Sequence, residues 1–121
     1  MGWIAVSSEG PLPQDLLDPR FGRAGGFVLF DPDTQETRWL DNGSSQVLAQ
    51  GAGIQTATRM AQEGVTVVLT GYVGPKAFQA LAAVGIGVGQ DLEGCTVAEA
   101  LARYQAGQVP LAAGPNREGG H

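Results

Sequence analysis

The sequence has very little of the chemistry on which most catalytic and metal sites depend. Its 121 residues include one cysteine, Cys95, and one histidine, His121, which is the last residue. A single cysteine excludes an internal disulfide, and a lone terminal histidine offers no base for a hydrolytic triad. No apolar run approaches the roughly 20 residues that span a bilayer. The sequence therefore predicts no membrane segment.

Positive charge is also scarce. Lysine and arginine together number 7 against 12 aspartates and glutamates, so the formal net charge is −5. This balance argues against general binding to nucleic acid or to an anionic membrane. No charged segment followed by an apolar segment opens the chain, as a secretory signal would, and we expect a cytoplasmic protein. The length indicates one domain, placed at residues 1–107, and residues 108–121 are expected to form a disordered tail.

Glycine, in contrast, is abundant at 19 residues, most of them between segments of regular periodicity. Those segments predict five strands and three helices. Strands are expected at residues 3–6, 26–31, 36–40, 65–70 and 86–88. Helices are expected at residues 52–63, 75–84 and 97–106. The first helix has apolar or small residues at i, i+3, i+4 and i+7, which predicts a buried face of Ile54, Ala57, Thr58 and Ala61.

The order of these elements predicts an α/β fold. A strand is followed by a hairpin at residues 26–41 and then by alternating helices and strands. Such an order gives a five-stranded mixed sheet with flanking helices. The β-branched, apolar segment at residues 65–70 is typical of a strand buried on both faces. The arrangement resembles the ribonuclease H-like motif, with the first strand in the centre.

Glycine-rich loops are expected to converge at the carboxyl ends of the parallel strands, where α/β proteins bind ligands. Two helix starts and two arginines in these loops would attract an anion, because helix N-termini carry unpaired N–H groups and partial positive charge. A fourth segment, Gly94 and Cys95, is a further candidate. The predicted binding residues are Arg20, Phe21, Gly22, Arg23, Gly51, Ala52, Gly53, Gly71, Tyr72 and Gly74.

A plainer interpretation of the same residues stays open. Glycines before helices are often simple turns, and arginines in acidic loops often pair with neighbours such as Asp15 or Asp18. Enzymatic interpretations find less support. Lys76 opens a helix as in a phosphate loop, but the GxxxxGK[ST] pattern is absent. A two-metal nuclease needs a carboxylate cluster, which Glu9 alone does not provide. We expect a protein that is not an enzyme.

Cys95 allows two interpretations. A lone cysteine is most often a small buried hydrophobic residue. Because it stands just before a predicted helix, its thiol is also a candidate ligand for one metal of a cluster assembled elsewhere. One thiol does not build an iron–sulfur cluster, which normally takes four.

Three motifs together resemble the dinitrogenase iron–molybdenum cofactor biosynthesis family. They are PRFGR at residues 19–23, GAGIQ at 51–55 and TGYVGPKAF at 70–78, within a likeness over about residues 3–106. The resemblance implies a ribonuclease H-like fold without nuclease activity. It also implies binding of an anionic iron–sulfur or iron–molybdenum cofactor, or its precursor, and transfer between metal-cluster assembly proteins.

The function expected from this resemblance is that of a non-enzymatic binding or carrier protein for such a cluster. The alternative is a regulatory or interaction module that binds a small phosphorylated or carboxylated metabolite. Both use the same anion site, and neither involves nucleic acid or a membrane.

Overall fold

The structure is a computed structural model, and it describes residues 2–43 and 51–116. The strands are β1 (Trp3–Ser8), β2 (Gly26–Phe30), β3 (Thr37–Asp41), β4 (Val65–Leu69) and β5 (Gly87–Gly89). The helices within the described residues are α1 (Ala52–Gln62), α2 (Pro75–Ala83) and α3 (Val97–Gln105). None of these helices is long and apolar enough to cross a membrane. The sequence also predicts a polar loop at residues 42–50, between the third strand and the first helix, and residues 44–50 of it lie outside the described residues.

The five strands form one mixed sheet in the order β3-β2-β1-β4-β5. β1 pairs antiparallel with β2 and parallel with β4, while β2 and β3 form the predicted antiparallel hairpin. β5 continues the sheet in parallel with β4. The central position of β1 and the internal position of β4 confirm the fold predicted from the sequence. The parallel arrangement of β1, β3 and β4 brings their carboxyl ends to one edge of the sheet.

Each face of the sheet has its own hydrophobic core, because side chains alternate along a strand. In β1, Ala5 contributes to the core under α1 and α2, whereas Ile4 and Val6 contribute to the core under α3. The first core also contains Phe21 and Phe27, whose rings meet edge to face with centroids 5.6 Å apart. Phe21 thereby anchors the loop after β1 in this core.

The buried face of α1 differs from the predicted one. Its buried residues are Ala52, Thr56, Ala57 and Met60. Ile54, by contrast, has 45% of its surface exposed. The buried and predicted sets share a helical spacing, so periodicity alone did not separate them. Thr56 is fully buried because its hydroxyl finds partners inside, near Gly22 O and Asn42 Oδ1.

The segment after α3 also differs from expectation. Residues 108–116, here called the C-terminal strap, lie along β5 instead of forming a disordered tail. Ala112 N donates to Val88 O at 2.7 Å, and Gln90 Nε2 donates to Gly114 O at 3.1 Å. Val109 is buried in the core under α3. A three-residue edge strand leaves backbone groups that a neighbouring segment can pair with, and the strap meets that need. Residues 117–121 lie outside the described residues.

Candidate functional site

A groove of about 560 Å³ opens where the segments that follow β1, β3 and β4 meet. Every predicted binding residue except Gly71 lines it. The described residues of the lining are Arg20, Phe21, Gly22, Arg23, Gly51, Ala52, Gly53, Ile54, Tyr72, Gly74, Pro75, Lys76 and Ala77. The structure therefore brings together three of the four segments that the sequence singled out.

One wall of the groove is the loop after β1, and a buried carboxylate organises it. Asp18 is only 3% exposed. Its carboxylate accepts hydrogen bonds from Arg20 N, Nε and Nη2 and from Gly25 N, at 3.1 to 3.3 Å. The pKa of the Arg20 guanidinium is raised by the hydrogen bond to Asp18 and by the negative charge of that carboxylate. Arg20 thus pairs with Asp18, as the plainer interpretation of the sequence proposed, and it also lines the groove.

A second set of bonds holds the same loop from the side of α1. Asn42 Nδ2 donates to Gly22 O at 3.3 Å and to Ala24 O at 3.1 Å. Thr56 Oγ1 lies 3.2 Å from Gly22 O and 3.3 Å from Asn42 Oδ1. Both side chains are buried, so these bonds are shielded from water. The sequence analysis did not find this pair, and its only local signal was a threonine within an otherwise apolar helix face.

Glycines allow the walls of the groove to approach closely. A Cβ on Gly22 would lie 2.8 Å from both Cα and N of Gly53, a distance that real Cβ atoms do not show. A Cβ on Gly53 would lie 2.8 Å from Ala77 Cβ on α2. The loop after β1 therefore packs on the first turn of α1, which packs on the first turn of α2.

Both helix starts in the groove lack a side-chain cap. The N-cap residues are Gly51, with a φ of 80°, and Gly74, and neither helix has an acidic residue in its first turn. The first N–H groups of a helix have no intrahelical acceptor. Residues 52–54 and 76–77, which carry these groups, belong to the groove lining. The arrangement presents uncompensated donors and the positive ends of two helix dipoles to one cavity.

Gly71 lies behind the lining and joins two loops. A Cβ at this position would lie 2.7 Å from Pro19 Cα. Next to it, Tyr72 N donates to Pro19 O at 2.8 Å, and Phe21 N donates to Tyr72 O at 3.4 Å. The role of Gly71 is therefore to let the loop after β4 lie against the loop after β1.

The sequence analysis missed four lining residues, namely Ile54, Pro75, Lys76 and Ala77. Lys76 is exposed and adds positive charge to that of Arg23. Its position in the first turn of a helix was the available signal. Ile54 was assigned to the core but supplies apolar surface here. Within residues 2–43 and 51–116, the lining contains no carboxylate, thiol or imidazole, and the same part of the chain holds no group of three or more metal-ligating residues. The groove suits an anion, not a bare metal cation.

Cys95 is not brought to the groove. It is 4% exposed and packs in the core under α3. Its backbone carbonyl accepts a hydrogen bond from Leu17 N at 2.9 Å, which ties the segment to the loop after β1 from the opposite face. The expectation that Gly94 and Cys95 form a fourth part of the site is therefore not met. The structure places Cys95 as a small buried hydrophobic residue.

Comparison with known proteins identifies the family. The model of the family described as dinitrogenase iron-molybdenum cofactor matches residues 2–107, and the chain belongs to this family. This confirms the resemblance carried by the three glycine-rich motifs. No curated protein matches the chain.

Solved structures confirm the fold. The apo form of the orange protein from Desulfovibrio gigas is 60% identical, with 97% of this chain and 98% of that chain covered and a TM-score of 0.94. A Thermotoga protein described as a candidate NifB protein is 28% identical, with 98% and 100% covered and a TM-score of 0.85. The structure of PH0822 is 16% identical, with 92% and 96% covered and a TM-score of 0.73, and it shares the fold.

Proposed function

We propose that this protein is a non-enzymatic carrier of an anionic metal–sulfur cluster, held in the groove. The cargo class is an iron–sulfur or iron–molybdenum cofactor or its precursor. One observation carries the proposal: two uncapped helix starts, Arg23 and Lys76 line one cavity, and the described residues of its lining include no carboxylate. The family description and the existence of an apo form of the similar orange protein support a bound group of this kind.

The groove lining fits a preformed cluster better than a metal ion. Outer sulfides of a cluster are negative and accept hydrogen bonds, as do the oxygen atoms of other anions. The first-turn N–H groups, Arg23 and Lys76 are matched to that surface, while Ile54 and Ala77 offer apolar contact. Since none of the described lining residues supplies a thiolate or imidazole, the cluster would be held by outer hydrogen bonds and charge. Such a grip permits release, which a carrier needs.

The lining also supports a role without turnover. General acid–base catalysis uses groups that exchange protons near neutral pH, and nucleophilic catalysis uses an activated side chain beside a base. The groove offers arginine, lysine, tyrosine and backbone donors, which bind and orient an anion. In this proposal, metal-cluster assembly proteins in the cytoplasm deliver the cargo and receive it.

The alternative function is a regulatory module for a small phosphorylated or carboxylated metabolite. The same helix starts and cations would bind a phosphate or carboxylate group. The apolar surface from Ile54 favours the cluster, because a small hydrophilic anion gains nothing from it. The two functions therefore differ in which anion the groove prefers.

The test is anaerobic reconstitution. Metal-free protein is mixed with ferrous iron and sulfide, with and without molybdate, and desalted. Bound metal, bound sulfide and visible absorption are then measured. In parallel, calorimetry with inorganic phosphate and with citrate measures small-anion binding. We expect a coloured, stoichiometric complex that phosphate displaces only weakly. Binding of phosphate or citrate without uptake of metal and sulfide would favour the metabolite module, and binding of neither would reject both.

Charge variants connect the result to the groove. Arg23→Ala and Lys76→Ala are expected to weaken cluster uptake, and for the exposed Lys76 the melting temperature should change little. Arg103→Ala on α3 is the matched control, because it removes one exposed cation away from the groove. Arg20→Ala differs, since it also removes two bonds to Asp18, and it is expected to cost about 1 kcal/mol of stability. Equal cluster uptake in Arg23→Ala, Lys76→Ala and Arg103→Ala would show that the groove is not the binding site.

A further inference from the structure

The C-terminal strap is fitted to β5 by two glycines that alternate along the strand. A Cβ on Gly87 would lie 2.8 Å from Leu111 Cδ1, and a Cβ on Gly89 would lie 2.6 Å from Val109 Cγ1. Residues two apart in a strand face the same side, so both gaps open toward the strap. Together with the bond from Ala112 N to Val88 O, this fixes the position of the strap along the edge of the sheet.

The described part of the strap ends at Asn116, which makes three hydrogen bonds. Asn116 Oδ1 accepts from Val73 N at 2.9 Å. Asn116 Nδ2 donates to Gly71 O and to Asp91 Oδ1, each at 2.9 Å. Both N–H bonds of the amide and its oxygen are therefore used. Two of the three partners are backbone groups on either side of Tyr72.

The loop that Asn116 holds is part of the groove wall. Tyr72 and Gly74 line the groove, and Gly74 is the N-cap residue of α2. The same loop is bonded to the loop after β1 through Tyr72 N and Pro19 O. A shift of residues 71–74 would thus displace both the start of α2 and the neighbouring wall. Asn116 is positioned to prevent that shift, although it does not line the groove itself.

We infer that Asn116 is a positioning residue for the ligand groove, and that the strap serves as a clamp on the loop at residues 71–74. The effect on affinity rests on the proposed function, whereas the effect on the loop does not. The family match ends at residue 107, so the clamp lies outside the matched residues. The strap thereby influences a site whose described lining residues all lie earlier in the chain, between Arg20 and Ala77.

Asp91 provides a means of testing this inference without removing the strap. Its φ of 65° lies in the left-handed region, where asparagine is also well tolerated. Its N–H donates to Gly71 O at 2.8 Å, and its carboxylate accepts from Asn116. Asn116→Asp keeps an acceptor for Val73 N. It loses the N–H groups that donate to Gly71 O and Asp91 Oδ1, and it places a second carboxylate beside that of Asp91. Adding Asp91→Asn reverses the polarity of the pair and restores the bond between the two side chains.

The experiment measures loop opening and ligand binding separately in the full chain. Amide hydrogen exchange at Val73 reports the clamp without any ligand. Uptake of the anaerobic iron–sulfide probe reports the groove. In Asn116→Asp we expect Val73 to exchange roughly fivefold to tenfold faster and the probe to bind weaker by about the same factor, since the two bonds donated by Asn116 Nδ2 are lost. Asn116→Asp/Asp91→Asn should recover part of both values, because the bond between the two side chains returns while the bond to Gly71 O does not. Asp91→Asn alone should resemble the wild type.

The outcomes separate the clamp from the proposed function. Unchanged Val73 exchange in Asn116→Asp would overturn the clamp. Faster exchange with unchanged probe affinity would make the contact purely structural and overturn the positioning role. The swapped pair has the wild-type charge and lacks only the bond from residue 116 to Gly71 O. Failure of this pair to recover would assign the loss to the bond with Gly71 O and would support a clamp that acts through that bond alone. If the wild type takes up no probe, the proposed function fails, and the exchange result still decides whether the clamp exists.

Discussion

The three described helices begin in two different ways. α3 starts with a complete capping box, in which Thr96 Oγ1 accepts from Glu99 N at 3.1 Å and Glu99 Oε1 accepts from Thr96 N at 2.8 Å. α1 and α2 start at Gly51 and Gly74, which have no side chain to offer. At the start of α3, Glu99 N donates to Thr96 Oγ1, and Val97 N and Ala98 N donate to Asp15 O and Pro13 O. The corresponding donors of α1 and α2 have no side-chain cap within the described residues.

This difference separates the part of the molecule that is built for stability from the part that is built for binding. Glycine at an N-cap costs only a few tenths of a kcal/mol relative to serine or aspartate. The uncapped starts of α1 and α2 therefore reduce the stability of the protein only slightly. Their position is fixed by packing, through the contacts of Gly22, Gly53 and Ala77, and not by caps. The groove can therefore hold free donors in a rigid arrangement. Four predictions test this comparison.

The largest effect is expected from Gly22→Ala, which separates the groove walls. The new Cβ would be forced against the backbone of Gly53. Overpacking of this kind costs about 1–3 kcal/mol, and the shifted loop should also lose most of its affinity for the iron–sulfide probe. Gly114→Ala is the control, because a Cβ there meets nothing within 4 Å. Thermal unfolding and probe uptake measure both effects. Wild-type behaviour of Gly22→Ala would mean that this contact does not shape the groove.

The next effect is expected from Gly74→Asp, which turns an open start into a capped one. Gly74 has a φ of −75° and a ψ of 168°, and a Cβ there has free space. The carboxylate should cap α2 and add a few tenths of a kcal/mol of stability. It should also repel an anion and weaken probe binding by about tenfold or more. Gly74→Asn is the uncharged control and should weaken binding less. Unchanged affinity in Gly74→Asp would exclude the start of α2 from the site.

The third prediction concerns removal of the cap at the start of α3. Thr96→Ala removes the cap of α3 and should cost about 1 kcal/mol of stability. Probe affinity should not change, because no residue of α3 lines the groove. Thr58→Ala serves as the control, since that exposed hydroxyl only bonds Ile54 O within α1. A loss of affinity in Thr96→Ala would show that the two kinds of helix start are coupled.

Local patterns in the sequence were sufficient for the sheet and for most of the groove. The change of period after residue 51 and the glycines that precede two helices depend on neighbouring residues, which a single sequence displays. The convergence of the loops then followed from strand direction, because carboxyl ends of parallel strands share an edge. Arg20 shows the limit of this reasoning. Its loop position was predicted and a pairing with Asp15 or Asp18 was considered, but only the folded loop selects Asp18 as the partner.

Contacts between distant segments were not predictable in the same way. Asn42 and Thr56 bond Gly22 across separations that no local pattern records. The strap was expected to be disordered because its composition is polar and rich in proline and glycine. Its order comes from the gaps at Gly87 and Gly89, which exist only once β5 has formed. Tertiary context decided each of these cases.

The smallest effect concerns the charge within the closed start. The pKa of Glu99 is lowered by its hydrogen bonds with the backbone and side chain of Thr96, and further by Arg103. A lowered pKa in the folded state means that the unfolded state binds more protons as the pH falls. The stabilisation is therefore present above the ordinary value of 4.5 and is lost as the pH falls below it.

Glu99→Gln keeps an acceptor for the Thr96 N–H but removes the charge, so it should be slightly less stable than the wild type at neutral pH. That difference should disappear as acidification protonates Glu99 in the wild type. Glu93→Gln is the control, since it removes the same exposed charge outside any helix cap. Melting temperatures measured between neutral and acidic pH check both variants. A difference in melting temperature that persists in acid would show that the effect of Glu99 comes from the geometry of its hydrogen bond and not from its charge. A change in probe affinity would show that the capping box of α3 influences binding in the groove.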